Sequence, residues 1–101
     1  MFMIFKTEQF MAWFDGLKDE TAKNKVRLCI DRAGLGNFGD RRSVGGGVSE
    51  LRINYGPGYR IYYTLRGQEI LILLAGGTKS SQTRDIERAK ELCAGARKWQ
   101  K

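Results

Sequence analysis

The sequence predicts an α+β domain: an N-terminal strand and a helical hairpin packed on a mainly antiparallel sheet of four or five strands, with a C-terminal helix. Three observations predict it. Apolar residues recur at helical spacing between Thr7 and Ala33, the period changes to two from Arg41, and helical character returns from about residue 82. At 101 residues, 42% of them hydrophobic and 29% charged, the chain fits a single domain, 1–101, that holds one core without staples.

Residues 2–6 are apolar and short, as expected of a buried opening strand. Thr7 is a good N-cap, and Phe10, Phe14 and Leu17 follow at helical spacing, which gives a helix over 8–16 ending at Gly16. Lys18 to Ala33 makes the second arm of the hairpin. Its stripe is Ala22, Val26, Cys29, Ile30 and Ala33, and Gly34 and Gly36 close it.

Strands 48–55 and 59–66 flank Gly56-Pro57-Gly58, a three-residue loop. That loop sets Leu51 opposite Tyr63, Arg52 opposite Tyr62 and Asn54 opposite Arg60. A two-residue turn at Gly67-Gln68 then pairs Leu65 with Ile70 and Tyr63 with Ile72. One face is apolar throughout: Leu51, Ile53, Ile61, Tyr63, Leu65, Ile70, Ile72 and Leu74. The other carries Glu50, Arg52, Asn54, Arg60, Tyr62, Thr64 and Arg66 with Leu71, Leu73 and Ala75. Leu71 and Leu73 need a cover, which is either the last helix, about 82–98, or a partner. Gly76-Gly77 ends the strand, and Ser81 is the expected N-cap for that helix.

Lys and Arg total 18 against 11 Asp and Glu, a net charge of +7. Such a field favours polyanions as partners. With no His and two isolated cysteines, Cys29 and Cys93, the usual metal-ligand clusters cannot be assembled, and the thiols read as small buried hydrophobes. The longest apolar run, Ile70 to Ala75, is far short of a membrane span, and no signal peptide is evident, so the expected compartment is the cytoplasm. Gly76-Gly77-Thr78-Lys79-Ser80-Ser81 lacks phosphate-loop spacing, and no cofactor is expected.

Arg52 and Arg60 fall on adjacent strands and one face, where mutual repulsion calls for an anion; the guanidinium fork suits phosphate. Tyr62 offers a ring for stacking a base, and Lys79 reaches the same end of the sheet. Arg41, Arg42, Asn54 and Arg66 are further candidates for RNA contact. Arg97, Lys98 and Lys101 read as a solubilising cluster, and Trp99 beside them has no assigned role.

Val48-Ser49-Glu50-Leu51-Arg52-Ile53, Gly56-Pro57-Gly58-Tyr59-Arg60-Ile61-Tyr62-Tyr63 and Leu73 through Gln82 closely resemble the RelE/ParE superfamily of toxins. More narrowly, they resemble its phage Gp49-like, HigB-related addiction module killer group. The resemblance covers nearly the whole chain and implies a RelE/ParE-like fold. It also implies the toxin of a type II toxin–antitoxin system, a ribosome-dependent mRNA endoribonuclease that inhibits translation. Its partners would be a helix-turn-helix antitoxin, the ribosome and mRNA. By motif, Arg52, Arg60 and Lys79 would hold the scissile phosphate, with Tyr62 assisting. The alternative within the superfamily is a non-enzymatic toxin that inhibits DNA gyrase. The sequence has no His and no acidic-tyrosine pair after the last helix, so no general base is identified.

Overall fold

The computed structural model describes residues 1–99, and side chains as far as residue 95. The side chains of Arg97, Lys98, Trp99 and Lys101 lie outside the described residues. The elements in chain order are β1 (Met3–Lys6), α1 (Glu8–Asp15), α2 (Glu20–Gly34), β2 (Arg41–Gly45), β3 (Val48–Ile53), β4 (Tyr59–Arg66), β5 (Ile70–Thr78), a 3₁₀ turn (Lys79–Ser81) and α3 (Gln82–Trp99). The strands form one sheet in the order β1-β5-β4-β3-β2. β1 runs parallel to β5, and the other neighbours are antiparallel. No helix is long and apolar enough to cross a membrane among the described residues.

The hairpin of helices forms as its caps predict. Thr7 accepts from the Phe10 amide at 3.0 Å, and Asp19 caps α2 by accepting from the amides of Thr21 and Ala22. α1 and α2 lay Phe10, Val26, Ile30 and Ala33 on one face of the sheet, against Leu51, Ile61, Tyr63, Leu71 and Leu73. α3 covers the opposite face, where Ala89 and Cys93 pack on Val48, Tyr62, Ile72, Leu74 and Ala75. The molecule therefore has helices on both sides of the sheet. Cys29 packs in the first core and Cys93 in the second, so the sheet separates the two thiols.

The strand register departs from expectation at both turns. Ile53 pairs with Tyr59 and Leu51 with Ile61, so Arg52 stands directly opposite Arg60 rather than Tyr62. The β3–β4 loop holds five residues, 54–58, because Tyr55 folds back. Its ring stacks on Tyr59 and its hydroxyl donates to Asp19 at 3.0 Å. The shift is an even number, so both strands keep their expected faces.

The β4–β5 turn differs by an odd number. Arg66 pairs with Ile70, which leaves residues 67–69 in the turn and reverses β5. Leu71 and Leu73 face α1 and α2 in the first core, while Ile72 and Leu74 lie under α3. The expected placement of Ile70, Ile72 and Leu74 with Leu51 and Ile61 is thus corrected. β5 is apolar at every position from Ile70 to Ala75, so its pattern cannot fix its own register. A bulge beside Tyr62 and Tyr63 then pairs Tyr62 with Ala75 and Ile61 with Gly76.

Gly76 and Gly77 continue β5 instead of ending it. A side chain on Gly76 would collide with the Trp13 ring, and one on Gly77 with the Asp85 carboxylate. The two glycines let α1 approach one face of the strand and the start of α3 the other. Replacing Gly76 by Ala must displace the indole, so Gly76→Ala should cost about 1–3 kcal/mol. Chemical denaturation checks this, and an unchanged midpoint would contradict the close approach.

Candidate anion-binding site

The site forms where β3, β4 and β5 meet beneath the first turn of α3, and its centre is a carboxylate. Strand alternation turns Glu50 toward α3, where its side chain is 0% exposed. Gln82 Nε2 donates to both of its oxygens, at 2.9 and 3.2 Å. Arg42 Nη2 approaches to 3.2 Å from β2, on the neighbouring strand position. Arg60 Nε lies 3.9 Å away on the other side. A buried charge is tolerated only when paired and hydrogen-bonded, and Glu50 has partners from β2 and α3 for that purpose.

Arg60 is less well served. Its side chain is 8% exposed. One terminal nitrogen donates to the Tyr59 carbonyl at 3.3 Å, and Nε has no hydrogen-bond partner. The 3.9 Å approach to Glu50 attracts the charge but is too long for a hydrogen bond. The guanidinium is therefore enclosed and short of acceptors: its Nε is buried toward Glu50, and its Nη1 lies toward Gly58, the end that an anion can approach.

Lys79 stands beside it. Its backbone N–H donates to the Gly58 carbonyl at 2.8 Å, which pins the β5 end to the β3–β4 loop. A Cβ placed on Gly58 would sit 3.5 Å from Lys79 Cβ and 3.6 Å from Arg60 Nη1. Gly58 thus lies against both the base of the Lys79 side chain and the end of the Arg60 guanidinium. The Lys79 side chain itself is exposed. Opposite Arg60 on β5 is Gly77, whose missing side chain admits Asp85; that carboxylate accepts from the Ser81 hydroxyl. Ser81 closes the 3₁₀ turn and immediately precedes Gln82, so it stands at the expected boundary of α3 and its hydroxyl bonds into the first turn of that helix.

The other expected site residues divide between this site and places away from it. Tyr62 is wholly buried beneath α3, so its ring is no stacking platform. Burial, with Glu50 and then Asp85 nearby, pushes its hydroxyl pKa far up, against the lowering by Arg60 and Arg42; a proton acceptor needs the reverse. Arg52 stands opposite Arg60 but turns to the sheet edge, where it pairs with Asp40 at 3.0 Å. Asn54 is exposed in the β3–β4 loop. Arg41 lies over the Phe38 ring, 4.9 Å from its centroid. Arg66 is at the far end of β4, six residues or about 20 Å from Arg60. Of the expected set, the structure brings together Arg60, Lys79, Tyr62 and Arg42.

An uncharacterized protein of Haemophilus influenzae is 46% identical to this chain over 86 residues, which span 85% of this chain and 87% of that protein. The chain belongs to that protein's family. No family profile matches the sequence.

Sequence reasoning missed Glu50, Gln82 and Asp85 as members of the site. Strand alternation did place Glu50 on the Arg60 face, but only the fold of α3 over that face reveals its partners. No group of three or more His, Cys, Asp or Glu able to hold a metal occurs among the described residues.

Two outcomes follow. Glu50→Ala leaves the enclosed Arg60 beside a void without its carboxylate, while Arg42 stays solvated, and should cost roughly 3–5 kcal/mol, as broken buried ion pairs do; a thermal melt within about 1 kcal/mol of wild type would contradict the hub. Tyr62→Phe removes a buried hydroxyl that has no hydrogen-bond partner. Its stability should stay within about 1 kcal/mol of wild type, because no bond is lost. A large loss in the melt would reveal an unseen partner.

Proposed function

We propose that this protein is the toxin of a type II toxin–antitoxin pair, an endoribonuclease that cuts mRNA on the ribosome and holds the scissile phosphate between Arg60 and Lys79. The observation that carries the reading is the enclosed Arg60 guanidinium, whose Nε has no hydrogen-bond partner, with an exposed lysine across Gly58. The Gly-Pro-Gly-Tyr-Arg turn and the Gly-Gly-Thr-Lys-Ser-Ser-Gln segment, which resemble the RelE/ParE toxins, hold these two residues.

The chemistry asked of the pair is modest. The ribose 2′-oxygen gives its proton to water and attacks the adjacent phosphorus. The 5′-oxygen leaves with its bonding pair and takes up a proton, so the products are a 2′,3′-cyclic phosphate and a 5′-hydroxyl. Negative charge grows on the non-bridging oxygens, and fixed cations at Arg60 and Lys79 stabilise it more than they stabilise the substrate. General-base assistance is worth roughly 10²–10⁴-fold, and without it the reaction depends on alignment. Alignment by the ribosome fits a site with a buried Tyr62 and no histidine.

The partners in this reading are mRNA, the ribosome and a helix-turn-helix antitoxin that blocks the Arg60–Lys79 surface, and the setting is the cytoplasm. The burial of Tyr62 also gives weight to a second reading, a toxin that binds DNA gyrase and cuts nothing.

Primer extension on cellular mRNA, taken minutes after induction without antitoxin, separates the two. The ribonuclease reading expects new 5′ ends before any loss of plasmid supercoiling. Arg60→Ala and Lys79→Ala should each reduce cleavage about 10- to 100-fold, the worth of one charged hydrogen bond. Arg60→Lys should recover little, because an ammonium cannot reproduce the fork. Lys79→Ala should melt like wild type, since that side chain is exposed. Intact mRNA with early loss of supercoiling would replace this reading by the gyrase one.

A further inference from the structure

We propose that the groove between α2 and β3 is a second phosphate subsite, which takes the backbone of the same RNA strand beside the nucleotide held at Arg60 and Lys79. The assignment rests on the ribonuclease reading for the identity of the strand, and on its own geometry for the site. The groove has a volume of about 410 Å³, and its polar lining is Lys25, Arg32, Asn37, Asp40, Arg52 and Asn54. That is three cations against one carboxylate, and the carboxylate is already engaged by Arg52 at 3.0 Å. Neither Lys25 nor Arg32 takes part in an ion pair among the described residues. The two are seven residues apart on α2, two turns on one face, and so span about 10 Å of the groove. Unneutralised cations in a row along a groove suit a chain of phosphates.

Arg52 links this groove to the site beneath α3. It is the direct cross-strand partner of Arg60, so their Cα atoms are about 5 Å apart. A strand leaving Arg60 passes Arg52 at the sheet edge and meets Arg32 and Lys25 next. Asn37 and Asn54 supply amides that both donate and accept, as base edges require. Phe38 also lines the groove, but Tyr63 stacks on one face and Arg41 lies over the ring. The subsite therefore reads phosphate and base edges without aromatic stacking on Phe38. An acidic peptide is the rival occupant; continuity with Arg60 favours the nucleic-acid strand.

Cys29 is half-buried in the groove wall and reports on occupancy. Burial pushes its thiol pKa up, against a lowering by Arg32, so alkylation is followed at alkaline pH. The probe is an eight-nucleotide 2′-O-methyl RNA, which cannot be cleaved. With the full-length protein, the slope of log K against log salt should fall by about 1.4 in Lys25→Gln/Arg32→Gln, at roughly 0.7 per phosphate contact on a single strand. Lys6→Gln, on β1 outside the groove, should keep the wild-type slope. Saturating probe should slow Cys29 alkylation at least several-fold. Arg60→Ala should lose about 0.7 of slope while the probe, at saturation, still protects Cys29.

A wild-type slope in the double variant, or unprotected Cys29 at saturating probe, overturns the subsite whatever Arg60 does. Protection by a poly-glutamate peptide but not by RNA also overturns it and assigns the groove to a protein partner. If Arg60→Ala keeps the full slope while the double variant loses it, the groove stands and the Arg60 site fails.

Discussion

The structure depends on how one buried negative charge is accommodated. Glu50 sits on β3 with 0% exposure, and taking a carboxylate out of water costs several kcal/mol unless partners replace the solvent. Those partners come from three elements: Arg42 on β2, Arg60 on β4 and Gln82 at the start of α3. Each contact constrains geometry elsewhere. The Gln82 amide fixes where α3 begins over the sheet, Arg42 fixes the pairing of β2 with β3, and Arg60 is drawn inward at a place where its own hydrogen bonds are incomplete. Stability and the shortage of acceptors at Arg60 thus arise from the same ion cluster.

The sheet edge then divides the basic residues into two sets. Arg60 and Lys79 flank Gly58 at the end of β4 and β5, while Arg52 crosses to Asp40 and joins the side of α2. Two arginines directly opposite on adjacent strands repel, and the separate carboxylates Glu50 and Asp40 relieve that repulsion by pulling them apart. The arginine pair suggested by the sequence is therefore two half-sites, one nearly enclosed and one at an open edge.

The class of fold was legible because helical spacing in α1 and α2 and alternation in β3 and β4 each have a single good solution. The faces of β3 and β4 survived an error in their register because Tyr55 lengthened the loop by an even number of residues. β5 had no such protection. An apolar residue at every position from Ile70 to Ala75 fits either face, and one extra residue in the turn after Arg66 reversed it. Arg60 and Lys79 were legible as candidates because a turn and a strand end bring them together locally. Glu50, Gln82 and Asp85 belong to the same site only through the packing of α3, a contact between residues more than thirty positions apart that no local pattern encodes. Tyr62 illustrates the converse: strand alternation set it beside Arg60, and α3 then buried it.

Arg60 Nε is a buried donor held beside Glu50 with no hydrogen-bond partner of its own. The most direct measurement is the ¹⁵N resonance of Arg60 Nε–H, followed by NMR during titration with dimethyl phosphate. A saturable shift of that resonance is predicted, with little change at Arg88, whose guanidinium is already bonded to Glu91 and Gln9. An Arg60 Nε–H that does not respond while exposed arginines shift would contradict the account.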